Sequence, residues 1–426
     1  MKVLVLGPGG REHAIIRALQ RDSSVTEVHS APGNAGIAAH APVHAIDANN
    51  PLEAVELAQE LAVDLVVVGP EAPLVAGVSD ALRDAGFAVF GPSKPAALLE
   101  GSKAFAKEVM AAAGVPTALA RVAATKEEAE SALAAFGAPY VVKDDGLAAG
   151  KGVIVTEDYD DALAHAETCF AAGGTVVIEE YLDGPEVSLF VLSDGTNCVP
   201  LSPAQDFKRI FDEDRGPNTG GMGAYTPLPW LPEGFVEEVI QRVAAPTIAE
   251  MNHRGTPFVG VLYCGLAATS RGIRVIEFNA RFGDPETQAV LTRLKTPLGG
   301  LLMAAAKGEL PADIELDWDP RTAVDVVMAA ENYPDTPRRG DVITGIEAAN
   351  ALEGVHVDHA GTVSTDRGIE TAGGRVLAVV ALGEDLADAR ERAYSGVAAI
   401  SWDGAQNRSD IALAAAENRI TIPTPL

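Results

Sequence analysis

The chain has 426 residues, enough for two or three domains, and 32 Lys and Arg against 60 Asp and Glu give it a net charge of −28. This acidity excludes the basic footprint of a general nucleic-acid binder, so an anionic substrate would need locally clustered cations or backbone N–H groups. The composition is 47% hydrophobic, with three widely spaced cysteines and no apolar run near about 18 residues. We therefore expect a soluble, reduced, cytoplasmic protein without a disulfide framework or membrane contact.

The first hundred residues alternate strand and helix patterns. Short apolar runs predict strands at Val3–Leu6, Val25–Ser30, Val43–Ile46, Asp64–Val68 and Phe87–Phe90. Two of these runs end in glycine-containing loops, Gly7–Gly10 and Gly69–Pro73, and Pro73 is expected to open the helix that follows. Repeated strand–loop–helix units predict an α/β domain with a doubly wound parallel sheet, whose ligand lies at the carboxyl ends of the strands.

A different pattern begins near Gly101, with a helix at Lys103–Ala113 and then a series of strands. These strands are expected at Thr117–Val122, Pro139–Lys143, Val153–Thr156, Thr175–Glu180, Glu186–Leu192, Asn197–Leu201, Val259–Thr269 and Ile273–Asn279. The stretch Ser202–Trp230 has too many Gly and Pro residues for regular structure and is predicted to be a long functional loop. A helix is expected near Glu233–Asn252.

A third block begins after residues 311–320. It is expected to contain strands near Ala323–Ala330 and Arg375–Ala381 and a helix from Leu386 to Ile400. The chain is therefore predicted to form three domains, at 1–100, 101–320 and 321–426.

The loop Gly7–Gly10 is not a dinucleotide fingerprint, because Glu12 stands where that motif needs its third glycine and the second strand ends without an acidic residue. Free N–H groups at the start of the following helix, with Arg11 beside them, suit a phosphate group instead. The alternative is a tight turn that binds no ligand. Among the histidines, only His13, next to this loop, is a candidate for a functional role.

The loop Gly146–Gly152 resembles a Walker A sequence but lacks its spacing, and Gly152 replaces the Ser or Thr that would hold Mg²⁺. A glycine turn between two strands can still fold over phosphates. Lys143 at its entry and Lys151 at its exit would then neutralise triphosphate charge on a chain that is otherwise strongly acidic.

Two acidic runs are candidates for nucleotide and metal binding. The run Glu179–Glu186 follows an apolar strand and could receive an adenine amino group and ribose hydroxyls, although a charged surface strand end is the alternative. Strand alternation puts Glu277 and Asn279 on one face, where their hard oxygen ligands suit Mg²⁺ or Mn²⁺ bridging phosphates. Arg281 follows and adds a cation for an anion. For Glu277 alone, a surface ion pair is the alternative.

The ordered set of motifs resembles that of the phosphoribosylamine–glycine ligase (glycinamide ribonucleotide synthetase) family, within the ATP-grasp superfamily. The most specific are GPNTGGMGAY at 216–225 and EFNxRFGDPE at 277–286; the others are GGREH at 9–13, PGNAG at 32–36, GPEAPL at 69–74, EGSK at 100–103, the loop 146–152 and WDG at 402–404. The resemblance implies a central ATP-grasp α+β domain, with a lid subdomain at about 117–190, and a C-terminal mixed α/β domain. It also implies ATP-dependent ligation of glycine to 5-phosphoribosylamine through a glycyl phosphate, which gives glycinamide ribonucleotide, ADP and phosphate in purine biosynthesis.

The same resemblance implies roles for individual residues. Lys103 and Lys143 would contact the phosphates of ATP under a lid loop that includes Gly146, Gly150, Lys151 and Gly152. Adenine and ribose would be received by Glu179, Glu180, Leu182 and Glu186, and Mg²⁺ or Mn²⁺ would be held by Glu277 and Asn279. The phosphate and hydroxyls of the ribosylamine would be cradled by Gly9, Gly10, Arg11, Glu12, Asn34, Gly36, Pro70 and Glu71. Glycine would be framed by Asp206 at its ammonium, by Arg281 at its carboxylate or acyl phosphate, and by Asn218, Gly220, Gly221 and Met222. The candidate catalytic residues are Lys143, Asp206 and Arg281.

Three positions depart from the family pattern. Asp144 stands where Ala is common and would weaken ATP binding if it pointed inward, so we expect it to point outward from the edge of its strand. Phe207 takes the place of a common His, and no proton transfer is assigned there. The strand 261–265 lacks the acidic metal ligand that many ATP-grasp enzymes carry, which leaves the number of metal ions open.

Two other functions would share part of this sequence pattern. Another ATP-grasp enzyme that acts on a phosphoribosyl intermediate would share the lid and metal strand but should lack GPNTGGMGAY. A non-catalytic nucleotide sensor would be favoured by loss of Lys143, Glu277 or Asn279, and all three are present. We expect small-molecule substrates, no nucleic acid, a monomer or small homo-oligomer, and a C-terminal block that packs on the N-terminal domain.

Overall fold

The computed structural model describes residues 1–147, 152–311 and 313–424. Its N-terminal sheet is parallel, with the strand order β2–β1–β3–β4. The elements here are β1 (Lys2–Gly7), α1 (Gly10–Gln20), β2 (Glu27–Pro32), a 3-10 turn (Ile37–Ala39), α2 (Pro51–Leu61), β3 (Leu65–Val68), α3 (Glu71–Ala76), α4 (Val78–Asp84), β4 (Ala88–Phe90) and α5 (Leu98–Gly101). The central strands β1 and β3 are buried on both faces, which confirms the predicted doubly wound sheet.

Two local predictions in this region are wrong. Val43 makes only an isolated bridge to Ser30, so Val43–Ile46 is not a strand. Pro73 does not open its helix, which begins at Glu71 and stops at Gly77, where the backbone is left-handed with φ 91°. The cap at Gly77 divides the expected single helix into two short ones, because a left-handed residue cannot continue the hydrogen-bond ladder.

An antiparallel sheet with the order β5–β8–β6–β7 follows. Its region contains α6 (Lys103–Ala113), β5 (Ala120–Ala123), α7 (Lys126–Phe136), β6 (Tyr140–Asp144), β7 (Val153–Thr156), α8 (Tyr159–Ala171) and β8 (Val176–Glu179). Both α7 and α8 cover one face of the sheet and share a small core that includes Leu133, Val142, Leu163 and Ile178. Because strand side chains alternate between faces, Lys143 and Glu179 project from the opposite face.

The central region builds a second antiparallel sheet with the order β10–β9–β15–β16. Its elements are β9 (Glu186–Asp194), β10 (Cys198–Pro200), β11 (Gln205–Asp206), β12 (Arg209–Phe211), β13 (Arg215–Asn218), β14 (Gly223–Thr226), α9 (Phe235–Val239), a π-helical turn (Ile240–Ala244), α10 (Ala245–His253), β15 (Val259–Thr269), β16 (Gly272–Asn279), α11 (Glu286–Arg293) and α12 (Leu298–Lys307).

The prediction that Ser202–Trp230 lacks regular structure is wrong, because it contains the four short strands β11 to β14. The strands β12 and β13 form a two-stranded ribbon of their own, where glycine and proline are tolerated because both strands are edges. The other two, β11 and β14, join a sheet whose remaining strands lie more than ninety residues later in the chain.

That third sheet has the order β11–β14–β17–β21–β18, so it is shared between the central region and the C-terminal block. The C-terminal elements are β17 (Thr322–Ala329), α13 (Ile346–Asn350), β18 (Val355–His359), β19 (Thr362–Thr365), β20 (Gly368–Thr371), β21 (Arg375–Gly383), α14 (Leu386–Ala399) and α15 (Leu413–Ala416). In the described part of the chain, no helix is long and apolar enough to cross a membrane.

The C-terminal block packs on α1 of the N-terminal domain, as expected. Arg17 Nε lies 2.7 Å from the buried Asp358 Oδ1, and the backbone N–H of His359 donates to His13 Nδ1 at 2.8 Å. Burial lowers the pKa of His13 to about 3, although Asp358 opposes the shift. His13 is therefore a neutral structural acceptor between domains, which accounts for it without a catalytic role.

The His13 contact predicts a pH dependence of stability. His13 stays neutral in the folded protein but titrates near 6.5 when unfolded, so its contribution is intact above pH 6.5 and is lost as the pH falls toward 3. In His13→Asn, whose amide oxygen can still accept from His359, the loss of unfolding free energy between about pH 7 and about pH 5 should shrink by about 2 kcal/mol. Urea unfolding at both pH values measures it. The exposed His253→Asn is the control, and an unchanged pH dependence in His13→Asn would contradict the assignment.

Candidate active site

A buried carboxylate organises the open face of the sheet β5–β8–β6–β7. Glu179, at the end of β8, lies between two ammonium groups, with Lys143 Nζ at 2.9 Å from one oxygen and Lys107 Nζ at 2.9 Å from the other. Lys143 Nζ also donates to the backbone oxygen of Ile276 on β16 at 3.0 Å. Lys143 is therefore fixed between the two antiparallel sheets. Both oxygens of Glu179 already have partners.

Lys103 lies on the same side, at the first turn of α6. Its Nζ donates to the backbone oxygens of Asp144 at 2.8 Å and Gly146 at 2.9 Å, so it binds the entry of the glycine loop. Ser102 caps α6 and fixes its start, with its hydroxyl accepting from the N–H of Phe105. Burial lowers the pKa of Lys103, and Glu277 opposes this shift. Of the loop residues, Gly150 and Lys151 lie outside the described residues, and the Gly152 oxygen accepts from the N–H of Asp144 at 2.7 Å.

Glu277 and Asn279 lie two residues apart on one face of β16, and the charges of Lys103 and Lys143 act on Glu277. Burial alone would raise the pKa of Glu277, but Lys208, Lys143, Lys103 and Arg281 together lower it below its usual value. Its Oε1 lies 3.9 Å from Lys208 Nζ. An ionised carboxylate next to an amide oxygen can ligate a hard divalent cation.

The strand β15 adds no acidic ligand here. Tyr263 pairs with Asn279 in register and Gly265 with Glu277, and a cluster of three or more His, Cys, Asp or Glu side chains suited to a metal is absent from the described residues. Phosphate oxygens and water would have to complete the coordination of an ion at this place.

A second buried acidic group, which the sequence reading missed, lies next to Asp206. Glu286, at the start of α11, accepts hydrogen bonds from the Ser188 hydroxyl at 2.9 Å and from the Tyr263 hydroxyl. Burial and the charge of Glu286 raise the pKa of Asp206, against the opposing Lys208 and Arg375. The Oδ1 atom of Asp206 is buried and has no hydrogen-bond partner among the residues that the structure describes. It is thus available for a cationic group. From the sequence, only the alternation of side chains along β9 and β15 could have indicated that Ser188 and Tyr263 face this acidic group.

Lys208 connects this acidic group to the metal face. Its Nζ lies 2.6 Å from Glu186 Oε2. Burial alone would lower the pKa of Lys208, but Glu186, Glu277 and Asp206 raise it above its usual value. Lys208 is therefore a permanent cation in the site, and no specific role was predicted for it from the sequence.

Arg281 joins the N-terminal domain to the site. Its Nε lies 3.2 Å from Glu71 Oε2, and its second terminal nitrogen lies 2.9 Å from Glu100 Oε1. Glu100 is buried and also accepts from the N–H of Ala280 at 2.7 Å. The predicted residues Glu71 and Arg281 are thus brought together, and Glu100 is a partner for which no role was predicted.

The first glycine loop is held together by Glu12. This buried carboxylate accepts from the N–H of Gly9 at 2.6 Å and from Arg11 Nε at 2.5 Å, and a Cβ at Gly69 would collide with it. Arg11 also donates to the backbone oxygen of Phe282 at 3.2 Å, so its guanidinium faces protein groups. Pro70 caps the start of α3 beside this loop.

The remaining substrate candidates lie near the C-terminal block. Asn34 donates to the backbone oxygens of Pro8 and His359, each at 2.7 Å, and a Cβ at Gly36 would overlap the His359 ring. Asn218 donates to the backbone oxygen of Val153 at 3.4 Å. Met222 is fully buried in a small apolar cluster with Ile210 and Val327, among others, so its side chain packs rather than facing a ligand.

Among the residues predicted to receive adenine and ribose, Glu180 Oε1 accepts from the N–H of Leu119 at 3.0 Å and lies 3.0 Å from a terminal nitrogen of Arg271. Leu182 is half-buried, and Glu186 is the partner of Lys208 already described. Glu180, Leu182 and Glu186 lie in the chain segment that leads from β8 to β9 and so connects the two antiparallel sheets.

The two unusual residues do not face the lysines. Asp144 alternates with Lys143 and lies against α8, with Oδ1 at 2.9 Å from His165 Nε2. Its side chain, at the last residue of β6, points to the face of the sheet opposite Lys143, outward as expected. Phe207 packs under the buried Arg408, whose guanidinium carbon lies 5.0 Å from the ring centre. An aromatic ring at this position therefore has a packing partner.

Comparison with known proteins identifies the family. Family models of the phosphoribosylglycinamide synthetase N domain, ATP-grasp (A) domain and C domain match residues 1–100, 101–287 and 323–414, respectively. A phosphoribosylamine–glycine ligase from Streptomyces coelicolor is 62% identical over 98% of this chain and 100% of that protein. The chain belongs to the phosphoribosylamine–glycine ligase family.

A solved structure of this family and one of a more distant protein have a similar fold. The crystal structure of phosphoribosylamine–glycine ligase from Thermotoga maritima matches with a TM-score of 0.83 and 34% identity, over 96% of this chain and 100% of that one. The biotin carboxylase domain of the Hydrogenobacter thermophilus 2-oxoglutarate carboxylase, in complex with ADP and magnesium, matches at 18% identity with a TM-score of 0.71, over 95% and 91% of the chains. The latter likeness concerns the fold alone. The predicted ATP-grasp architecture is confirmed.

Arg281 offers a test of the charge arrangement. Arg281→Met leaves the buried Glu100 without its guanidinium, so the free energy of unfolding should fall by about 3 kcal/mol in urea titrations. Arg271→Met is the matched control, because Arg271 is half-exposed in its pair with Glu180 and should cost less than about 1 kcal/mol. Equal losses in the two variants would contradict a buried structural charge at Arg281.

Proposed function

We propose that the chain ligates glycine to 5-phosphoribosylamine at the cost of ATP and forms glycinamide ribonucleotide, ADP and phosphate in purine biosynthesis. The observation that carries this proposal is the convergence of Lys103, Lys143 and Lys208 on the face of β16 that presents Glu277 and Asn279. The membership of the family supports the choice of substrates.

For the nucleotide, we propose that Lys103 and Lys143 bind the phosphates beneath the loop 146–152. The segment with Glu180, Leu182 and Glu186 would receive adenine and ribose. Glu179 is better assigned to holding Lys143 and Lys107 than to contacting the base, because both of its oxygens pair with lysines. In this assignment Glu179 is a positioning residue.

For the metal, Glu277 and Asn279 would hold Mg²⁺ or Mn²⁺, and the ionised state of Glu277 supports this. The ion would neutralise and orient the β- and γ-phosphates.

The ribosylamine would bind where Gly9, Gly10, Asn34, Gly36, Pro70 and Glu71 surround the carboxyl ends of β1, β2 and β3. Backbone N–H groups of the first loop would receive its phosphate. Arg11 and Glu12 would shape this loop, since each pairs with the other.

The chemistry that fits the site is two successive displacements. A glycine carboxylate oxygen attacks the γ-phosphorus, the bond from that phosphorus to the β–γ bridging oxygen breaks, and ADP leaves. The amine of the ribosylamine then attacks the carbonyl carbon of glycyl phosphate, loses a proton and expels phosphate. Asp206 would receive the ammonium of glycine, and Arg281 would face its carboxylate and then the acyl phosphate. Positioning and charge neutralisation account for such a reaction without a protein nucleophile.

We propose that the three predicted domains, 1–100, 101–320 and 321–426, share the substrate binding and catalysis described above. We also propose a cytoplasmic location and a monomer or small homo-oligomer. The sheet shared by β14 and β17 supports a C-terminal block that moves with the central region rather than alone.

Substrate omission tests the function directly. ADP release with Mg-ATP should require both glycine and freshly generated phosphoribosylamine, and glycinamide ribonucleotide should be found by mass. ADP release that ignores glycine but needs the ribosylamine would point to another ligase acting on a phosphoribosyl intermediate. Nucleotide binding without turnover under every combination would point to the sensor and contradict the ligase.

Glu277 tests the metal site. Glu277→Gln should lower kcat by about 10³-fold, because it removes the negative charge that holds the cation, while the circular dichroism spectrum and melting curve stay close to those of the parent. Glu250→Gln, at a partly buried acid on α10 that pairs with Arg254, should keep full activity as the matched control. Near-normal turnover in Glu277→Gln would contradict the assignment of Glu277 as a ligand of the metal ion.

A further inference from the structure

Arg375 brings the C-terminal block into the glycine-binding region. It is the first residue of β21, and one terminal nitrogen of its guanidinium donates to the backbone oxygens of Gly220 and Asp284, each at 2.6 Å. The same nitrogen lies 3.5 Å from the Asp284 carboxylate. One side chain therefore connects three segments that are far apart in the chain: the loop 216–223, the turn before α11 and the C-terminal sheet.

The two peptide groups that flank Gly220 are each held by one contact. The N–H of Gly220 donates to the Tyr333 hydroxyl at 2.9 Å, while the guanidinium binds the oxygen of Gly220. A Cβ at Gly220 would lie 2.9 Å from the guanidinium carbon of Arg375, so only glycine lets the side chain approach this closely. Both contacts come from the C-terminal block, one to the peptide group before Gly220 and one to the peptide group after it, which leaves both peptide groups little freedom to rotate.

Gly221, the next residue, packs against Asp206. A Cβ at Gly221 would lie 2.7 Å from Asp206 Oδ1 and would collide with the ring of Pro285. The loop, the carboxylate and the turn at Asp284–Pro285 are thus packed together. A displacement of the Gly220–Gly221 backbone would therefore change the packing against Asp206 Oδ1, a buried oxygen that has no hydrogen-bond partner within the described ranges.

We propose that Arg375 is a positioning residue for the glycine substrate: it holds the Gly220–Gly221 backbone against Asp284 so that Asp206 keeps its orientation toward the ammonium of glycine. This inference rests on the proposed function for the identity of the substrate. The contacts of Arg375 with Gly220 and Asp284, which we call the Arg375 clamp, do not depend on the proposed function. Arg375 contacts protein groups through one nitrogen and needs no contact with the reacting atoms.

The clamp predicts a split in the kinetic constants. In Arg375→Ala, KM for glycine should rise by at least about 10-fold and kcat/KM for glycine should fall by about 100-fold, since a shift of roughly 1 Å in a positioning group can cost that much. KM for ATP should stay within about 3-fold, because Lys103 and Lys143 are held by other partners. Added guanidinium ion should restore part of the lost activity by filling the vacated site.

Two further variants keep the test decisive if Arg375→Ala folds poorly. Arg375→Lys keeps the charge but cannot serve the same set of oxygens, and it should show the same split in weaker form. Tyr333→Phe removes only the hydroxyl that accepts from Gly220 and should raise KM for glycine by about 3-fold or more. Arg367→Ala is the matched control, because Arg367 is mostly exposed on the hairpin of β19 and β20 and should behave as the parent.

Hydrogen exchange separates this inference from the proposed function, since it needs no ligase activity. The amides of residues 216–223 should exchange faster in Arg375→Ala than in the parent, while those of β6 and β8 should not change. Equal KM effects for glycine and ATP, no rescue by guanidinium, or unchanged exchange in 216–223 would each overturn the clamp. Failure of the parent enzyme to use glycine, with faster exchange still seen in the variant, would overturn the substrate assignment and hence the inferred purpose of the clamp.

Discussion

The pairing of Glu179 with Lys143 and Lys107 is the interaction on which the rest of the site depends. Two ammonium groups buried side by side would repel each other, and burial by itself lowers the pKa of Lys107. The carboxylate between them opposes both effects, although the pKa of Lys107 stays below its usual value, and it places positive charge on one face of a sheet in a chain whose net charge is −28. The neighbouring sheet then presents Glu277 to those cations, so anions and cations alternate across the face where a triphosphate and a metal ion would bind. This alternation lets an acidic protein receive an acidic substrate.

The same arrangement requires that separate sheets meet at one place. Lys143 reaches across to the backbone of Ile276, Arg281 reaches back to Glu71 and Glu100, and Arg375 reaches from the C-terminal sheet to the glycine-rich loop. Each contact is made by a long cationic side chain to a carboxylate or a carbonyl of another segment. Glycines stand where the segments come closest, as at Gly220, where a larger residue would exclude the guanidinium. The domains are thus connected through the site itself.

Local patterns in the sequence predicted much of this fold. The strand Val259–Thr269 was predicted at its observed bounds, and strand alternation correctly placed Glu277 and Asn279 on one face. The parallel N-terminal sheet followed from continuous apolar runs and glycine turns. These features depend on residues within one or two elements of each other, where period and turn chemistry are informative. The motifs then identified the family, which the relatives confirm.

The errors come from partners that are distant in the chain. Gly223–Thr226 looked irregular because its strand neighbour, Thr322–Ala329, lies about a hundred residues later. Glu286 gained its hydroxyl partners, and Gly220 its guanidinium, from segments that no local pattern relates to them. The pairing of Arg11 with the adjacent Glu12 was not predicted, because the burial of Glu12 depends on the whole domain. Such contacts follow only from the assembled fold.

The most direct test of the account is the fate of the glycine oxygens. With glycine labelled with oxygen-18 in its carboxylate, one labelled oxygen should appear in the phosphate released and the other should stay in the amide of glycinamide ribonucleotide, as phosphorus-31 NMR and mass spectrometry can measure. This result would show that the carboxylate attacks the γ-phosphorus at the cationic face described above. Release of unlabelled phosphate together with labelled product would contradict the acyl phosphate and, with it, the proposed purpose of the whole arrangement of charges.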